Sequence, residues 1–552
     1  MKQIVRKGGS CLLTLSNIIK KNNRTSSLSL GSLYQCSYYH SYPDPNEKPQ
    51  ISRGKSDGQR MDKNTKSNDD VKVSETFRLD KAFPGVPIST GLKDNSIPQT
   101  LSTKLSNGLV VASQDIPGLM SSFTFIVGTG SSNEIQNGND SNAGATHMIE
   151  LTAFRSTKNR TFHEFSKEME QLGGMVQCLS TRENIIYCVD VLRENLEKAI
   201  ELLADTVINP LLSKEEIEEG KEVMKLQHDN MQPDMLSRDC VQMAAFTNQP
   251  LGNFHFCPLD KVDNITDKTI HEFRNRYYFG ENCIVAGAGV EHESFVKIIQ
   301  DKFKAIPSRG PDAKEKQKRG ASDYSGGLYI EKRHLNIPFI KVAVGFKIGG
   351  WNDKKLVASC VLQQLLGGGS SFSAGGPGKG MYTRLYREVL NRHYWVESAE
   401  SFISVHEDAG LFGIDGATDE QHVPHLLRVL LEHLIRLGLE PVSDEELNRA
   451  KNMLKSMMMM QLESRLVLCE DIGRQFVTYG KRESPAEVCK KIEEVTAMDL
   501  QNIAKEMLSH PPSVSMVGEK ITLVPTFDDI KRFTDAAKAE LQEIYEKKGL
   551  KM

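Results

Sequence analysis

The sequence predicts an α+β fold built twice, as two homologous domains that are each a largely antiparallel sheet packed with helices. Three observations carry this reading. A chain of 552 residues is too long for one hydrophobic core, so at least two domains are expected. The halves echo each other: Ser213-Lys-Glu-Glu-Ile217 returns as Ser443-Asp-Glu-Glu-Leu447, Lys221 and Lys225 return as Lys451 and Lys455, and Ile265-Thr266 with Ile270 returns as Val495-Thr496 with Leu500, each 230 positions later. Val127-Gly-Thr-Gly130 with Asn133-Glu134 is echoed in the same way by Phe346-Lys-Ile-Gly349 with Asn352-Asp353. Several repeats in one order mark a single domain of roughly two hundred residues that occurs twice. Strand-like and helix-like stretches also alternate without a steady βαβ rhythm, which selects α+β over a doubly wound sheet.

The first 43 residues stand apart from both copies. They carry Lys2, Arg6, Lys7, Lys20, Lys21 and Arg24, many serines and no acidic residue before Asp44, with Leu12, Leu13, Leu15, Ile18 and Ile19 as an apolar stripe. That is the composition of an organelle transit peptide. Residues 44–98 are polar and rich in Pro, Asp, Lys and Ser, and read as an irregular arm. The first repeated domain is expected over residues 99–315 and the second over 331–552, with a linker at 316–330 next to the Gly-, Lys- and Asp-rich joint.

Within the copies, Leu105–Ser113 holds a Ser-Asn-Gly turn followed by Leu109-Val-Val-Ala, a hairpin signal. Phe123–Val127, Ile185–Val189 and Ile340–Phe346 are short β-branched apolar runs and predict strands. Asn195–Val207 carries Leu196, Ala199, Ile200, Leu203 and Ala204 at helical spacing. Ser213 with Glu216 predicts a capping box on the next helix. The four methionines at 457–460 read as core and helix-face filling.

Composition narrows the function. A formal net charge of −3 gives no overall drive towards nucleic acid or an anionic membrane. The ten cysteines are scattered and none forms a C-x-x-C pair, which argues against a cysteine zinc site and for free thiols in a reducing compartment.

Two motifs remain. His147-Met-Ile-Glu150-Leu151 differs by one residue from H-x-x-E-H, in which two histidines one helical turn apart bind zinc and the glutamate is general base. Leucine has no lone pair to give, so the motif is degenerate. The second is the glycine-rich run 367–381, which follows an apolar helix over Val357–Leu366. It cannot be packed core, and its glycines permit close approach of another chain. It does not satisfy G-x-x-x-x-G-K-[ST], so nucleotide binding is not expected.

The segment around His147 and Glu150, followed by Leu172-Gly173-Gly174, resembles the zinc-site helix and downstream loop of the pitrilysin-type metallopeptidases, and the likeness extends over residues 100–520. In that family a third ligand, a glutamate, comes about 75 residues beyond the second histidine. Here Lys225, Leu226 and Gln227 fall in that region and cannot replace a carboxylate under zinc, and His228 is the alternative donor. The resemblance therefore implies no catalytic residue and no metal in this chain. The glycine-rich run, with Gly144-Ala-Thr-His-Met148, Leu462-Glu-Ser-Arg465 and Glu470-Asp-Ile-Gly-Arg-Gln475, is similar to the non-catalytic subunits of two-chain processing peptidases in this family. It implies substrate binding at Gly367, Gly368, Gly369, Ser370, Ser371, Phe372, Ser373, Gly375, Gly376, Pro377, Gly378, Lys379 and Gly380. It further implies a β-subunit partner that holds the zinc, basic presequence peptides as ligands, and a place in the mitochondrial matrix or at the inner membrane. An alternative within the family is a core subunit of the cytochrome bc1 complex. A basic ligand calls for acids, and Glu397, Glu400, Glu407 and Asp408 are the candidates downstream of the loop.

Overall fold

The computed structural model describes residues 98–135, 141–334, 337–371 and 380–547. The expected transit peptide (1–43) and all but the last residue of the expected arm (44–98) lie outside the described residues, as do residues 372–379 of the glycine-rich run.

Two six-stranded sheets carry the fold. The first comprises β1 (Leu101–Lys104), β2 (Val110–Gln114), β3 (Met120–Val127), β4 (Met175–Ser180), β5 (Ile185–Leu192) and β6 (Cys283–Ala288), in the order β1-β2-β6-β3-β5-β4. The second comprises β7 (Gly327–Lys332), β8 (Ile340–Ile348), β9 (Gly368–Ser370), β10 (Val396–Val405), β11 (Gly410–Thr418) and β12 (Ser513–Gly518), in the order β7-β12-β8-β11-β10-β9. Each sheet has one parallel pair, β2–β6 and β7–β12, and is otherwise antiparallel. The predicted hairpin pairs Leu101 with Ser113. The final strand of each copy lies between its first long strand and its second, so each copy closes on itself late in the chain. β7 begins at Gly327, inside the stretch expected as linker.

The helices are α1 (Ala145–Thr152), α2 (Phe162–Gln171), α3 (Leu196–Ile208), α4 (Lys214–Asp229), α5 (Pro233–Ala245), α6 (Asp267–Tyr277), α7 (His292–Lys302), α8 (Leu356–Leu366), α9 (Val423–Leu439), α10 (Asp444–Leu462), α11 (Arg465–Tyr479), α12 (Pro485–Glu494), α13 (Ala497–Met507) and α14 (Phe527–Lys547). The residues that repeat in sequence make the same contacts in both copies. Ser213 caps α4 and Ser443 caps α10, accepting from the N–H of Glu216 (3.2 Å) and of Glu446 (3.3 Å). Lys221 reaches the Asp263 carbonyl at 3.3 Å, and Lys451 reaches the Glu493 carbonyl at 2.8 Å. Lys225 pairs with Asp263, and Lys455 with Glu493. Thr266 and Thr496 each close a capping box on the helix that follows. The capping box expected at Ser213 forms only in part, because the Glu216 carboxylate turns away to accept the Ser156 N–H at 3.0 Å.

Each copy keeps its own helices on one face of its sheet. On the other face the two halves exchange a helix. From the second half, Leu468, Cys469 and Ile472 of α11 pack on Ala112, Ala286 and Ala288 of the first sheet. From the first half, Val241 and Ala245 of α5 pack with Ala343, Phe402 and Leu411 of the second sheet, and Leu236 and Cys240 pack with Val517. Both faces of both sheets are therefore covered, which explains why β3 and β11 are buried almost end to end instead of alternating. The small residues on the first sheet let α11 come close. A Cβ added at Gly473 would stand 2.4 Å from the Ile126 Cδ1 and 3.3 Å from the Ala286 Cβ. We expect Gly473→Val to destabilise the protein by about 1–3 kcal/mol through overpacking, measured by urea unfolding, with no loss of helix content in the native baseline.

Of the four methionines, Met458 is buried and Met457 packs on the core, whereas Met459 and Met460 are exposed, so the expectation of core filling holds for half of them. Among the described residues no helix is long and apolar enough to cross a membrane.

Candidate functional site: a closed metal centre and an anchored loop

Helix α1 sets the first site. Glu134 caps its start, accepting from the backbone N–H of Gly144 and of Thr146 at 2.8 Å each. A carboxylate at a helix N-terminus meets the positive end of the dipole and the free N–H groups, and this fixes α1 against the end of β3. His147, one turn in, is 2% exposed. Its Nδ1 accepts the Cys257 N–H at 3.2 Å, so its proton sits on Nε2, which donates to the Gln227 Oε1 at 2.7 Å. Burial pushes its pKa down to about 4, leaving the ring neutral at neutral pH. Phe256 packs edge-on against the ring, 5.0 Å between centroids.

The other motif positions are equally committed. The Glu150 carboxylate accepts from the Ser180 N–H (2.8 Å) and Oγ (2.6 Å), and burial raises its pKa. Leu151 packs half-buried against the first core. His228 faces the Arg333 guanidinium at 3.1 Å and is not bonded to His147. Gln227 is thus the residue that α4 delivers to His147, and the sequence does not single it out, since its approach depends on how α4 crosses α1. Its amide oxygen takes the proton on the ring nitrogen that a metal would need. Among the described residues no three His, Cys, Asp or Glu side chains could hold a metal ion. The side chains present do not fit zinc: one imidazole with both nitrogens engaged, a leucine and an amide.

The second site is the base of the glycine-rich run. Gly367 ends α8 with φ +56 and ψ −125, a conformation open to glycine alone. A Cβ on Gly368 (φ +107) would lie 2.1 Å from the Ala399 carbonyl oxygen. Gly368–Ser370 then form β9 on the edge of the second sheet, paired with Ser398–Glu400 of β10. The Ser371 N–H continues this by donating to the Glu397 carbonyl at 2.7 Å. The chain returns at Gly380, and Thr383 ties the two ends together: its Oγ1 accepts the Gly368 N–H at 3.3 Å and donates to the Gly380 carbonyl at 2.7 Å. Tyr386 adds a bond from its hydroxyl to the Ser370 carbonyl at 3.3 Å. Residues 371 and 380 therefore leave a braced neck. Of the predicted loop residues, Gly367, Gly368, Gly369, Ser370, Ser371 and Gly380 form this neck, while Phe372, Ser373, Gly375, Gly376, Pro377, Gly378 and Lys379 lie outside the described residues. Thr383 and Tyr386 brace the neck and were missed by sequence reasoning, although they sit directly after the loop. We expect Gly368→Ala to disrupt β9, seen as faster amide exchange at 368–371 and 398–400.

The four acids differ. Glu400 pairs with Arg238 at 3.0 Å, Glu407 with Lys318 at 2.6 Å, and Asp408 binds Arg319 at 2.7 and 3.0 Å. Arg319 also holds Glu183, 2.8 Å away. Burial alone would raise the Glu183 pKa, but His406, Arg319 and the Glu407 N–H pull it down to about 2. These three acids serve contacts within the chain. Glu397 is half-exposed, lies next to β9, and its carboxylate has no partner among the described residues.

Two mixed sheets packed with helices, a degenerate H-x-x-E-H helix and an unfit metal centre define a duplicated metallopeptidase scaffold without its metal. Residues 109–259 match the family described as Insulinase (Peptidase family M16), and residues 264–454 match the Peptidase M16 inactive domain. The chain is 34% identical over 463 residues to the mitochondrial-processing peptidase subunit alpha of Solanum tuberosum, covering 83% of this chain and 89% of the relative. It is 33% identical over 456 residues to the probable mitochondrial-processing peptidase subunit alpha-1 of Arabidopsis thaliana, covering 82% and 88%. With the human alpha subunit it shares 31% over 495 residues, covering 85% and 93%. The chain belongs to the alpha-subunit family of the mitochondrial-processing peptidases, within peptidase family M16.

Proposed function

We propose that this chain is the non-catalytic, substrate-recognising half of a heterodimeric peptidase in the mitochondrial matrix. A β-subunit supplies the zinc and the cutting site. This chain helps hold the basic presequences of imported precursors, through residues 367–380. The observation that carries the reading is the combination of a metal centre closed by Leu151 and Gln227 with a loop whose neck is braced by Thr383 and Tyr386. A protein that had lost all dealings with substrate has no need to brace a loop of that composition. The names of its relatives support the heterodimer and the mitochondrion. Glu397 is the acid free to receive a lysine or arginine beside the loop; Glu400, Glu407 and Asp408 are the weaker candidates because each already holds a base.

The test is affinity purification from mitochondria with identification of the co-purifying chains and a presequence-cleavage assay on the eluate. Recovery of a zinc-bearing β-subunit together with cleavage is expected. Recovery with cytochromes and without cleavage would replace this reading with a structural subunit of the bc1 complex. Residues 1–43 are proposed to be removed on import, so N-terminal sequencing of the mature protein is expected to start well past Lys2, near residue 44.

A further inference from the structure

We propose that the protein binds a carboxylate carried on an apolar chain, in a cavity between the start of α8, the end of α11 and helices α12 and α13. The cavity measures about 850 Å³, within the span of small-molecule sites. Trp351, Leu356, Val488, Val495 and Ile503 give it apolar walls.

Its charges do not balance. Arg474 lines the cavity, and its Nε is shut from solvent with no hydrogen-bond partner among the described residues. Asp471, on the preceding turn of α11, gives its carboxylate to Arg482 (3.1 Å) and Gln475 (2.9 Å). The carboxylates that line the cavity are also engaged. Asp353 takes the Lys355 N–H at 2.8 Å, Glu483 takes Lys491 at 2.6 Å, Glu494 pairs with Lys490 at 4.0 Å, and Asp499 caps α13 through Thr496 at 2.8 Å. The N-terminus of α8 enters the same wall at Leu356, and there the Asp353 carboxylate already holds the Lys355 N–H. A buried guanidinium Nε without a partner is left at a cost, and a ligand carboxylate answers it. Apolar walls then call for an apolar chain behind that carboxylate. A free fatty acid and the free C-terminal end of an apolar peptide share this chemistry. The proposal stands apart from presequence recognition, since an arginine in the wall would repel a basic ligand.

Trp351 lies in the wall and the chain has two tryptophans, the other being Trp395, stacked on His422 at 5.1 Å. In the full-length Trp395→Phe protein, titration with dodecanoate below its micelle concentration is expected to give a saturable change in fluorescence. Dodecanol is expected to bind about tenfold more weakly or worse, and Arg474→Met to weaken dodecanoate by a similar factor. Val488→Phe, which fills the cavity without touching Arg474, is expected to abolish binding. A peptide with an apolar, free C-terminus, compared with its amidated form, decides the source: saturation by either carboxylate supports the site and names its ligand. No saturable change with either carboxylate, or equal affinity for dodecanol on the unaltered cavity, overturns the proposal even if the variants fail to fold.

Discussion

Removing residues 372–379 while leaving the neck intact is expected to weaken presequence binding by the heterodimer about tenfold to a hundredfold. The deleted segment holds Phe372 as its one large apolar side chain. Burying such a group on a ligand is worth about 1.5–3 kcal/mol, and each 1.4 kcal/mol is about a factor of ten in affinity. The fold is expected to survive, because Thr383 already ties Gly380 to Gly368, three residues before the cut. The rate at saturating substrate is expected to change little, since the deleted segment contains no His, Cys, Asp or Glu to hold a metal or activate water. The measurement is a titration of a fluorescent presequence peptide against the deleted and the intact chain, each with the same β partner, followed by kcat and KM. Unchanged affinity and unchanged cleavage would refute the recognition role. Within the same assay Glu397→Gln is expected to cost several-fold in affinity and to flatten the salt dependence, whereas Asp408→Asn should act through stability, because it breaks the bond to Arg319.

The second large effect is a gain. The double variant Leu151→His with Gln227→Glu is expected to bind about one zinc per chain, while the parent and each single variant hold none tightly. Leu151 lies one helical turn after His147, and Gln227 already reaches the His147 Nε2 at 2.7 Å. Two ligands at about 2.0–2.1 Å from a tetrahedral zinc stand ~3.3 Å apart, so the pair has to part by about half an ångström, and the ring proton has to pass to Nδ1, which gives up the Cys257 N–H bond. Metal analysis after dialysis decides the matter, with a zinc-dependent rise in melting temperature as the second readout. A tightly held zinc in the parent protein would overturn the account of a closed centre. An empty double variant would show that Cys257 and Phe256 hold His147 too rigidly to turn.

What the sequence disclosed followed distance along the chain. The degenerate motif is local, so Leu151 could be seen to lack a lone pair without any structure. The repeat was legible because Ser213, Lys221 and Thr266 recur as whole phrases; the Ser and Thr phrases encode helix caps, and the Lys phrase a tie to a carbonyl 42 residues on. Gln227 was legible only as one of three neighbours, with Lys225 and Leu226, because its partner is 80 residues away and only the crossing of α4 over α1 brings them together. The acids illustrate a different limit. Glu397, Glu400, Glu407 and Asp408 look alike as letters, and only tertiary placement of Arg238, Lys318 and Arg319 separates the engaged from the free. The exchange of α5 and α11 was likewise invisible, since an apolar helix face states that it will be buried but not against which sheet.

That exchange bears on how the molecule can move. A hinge between the two copies at their connection, in the manner of a shell opening, would require α5 to leave the second sheet and α11 to leave the first at the same moment. Each departure exposes a row of alanine, valine and leucine side chains to water. The two copies are therefore held together by both helices at once. Any opening that parts the two copies strips both sheets of a covering helix at once.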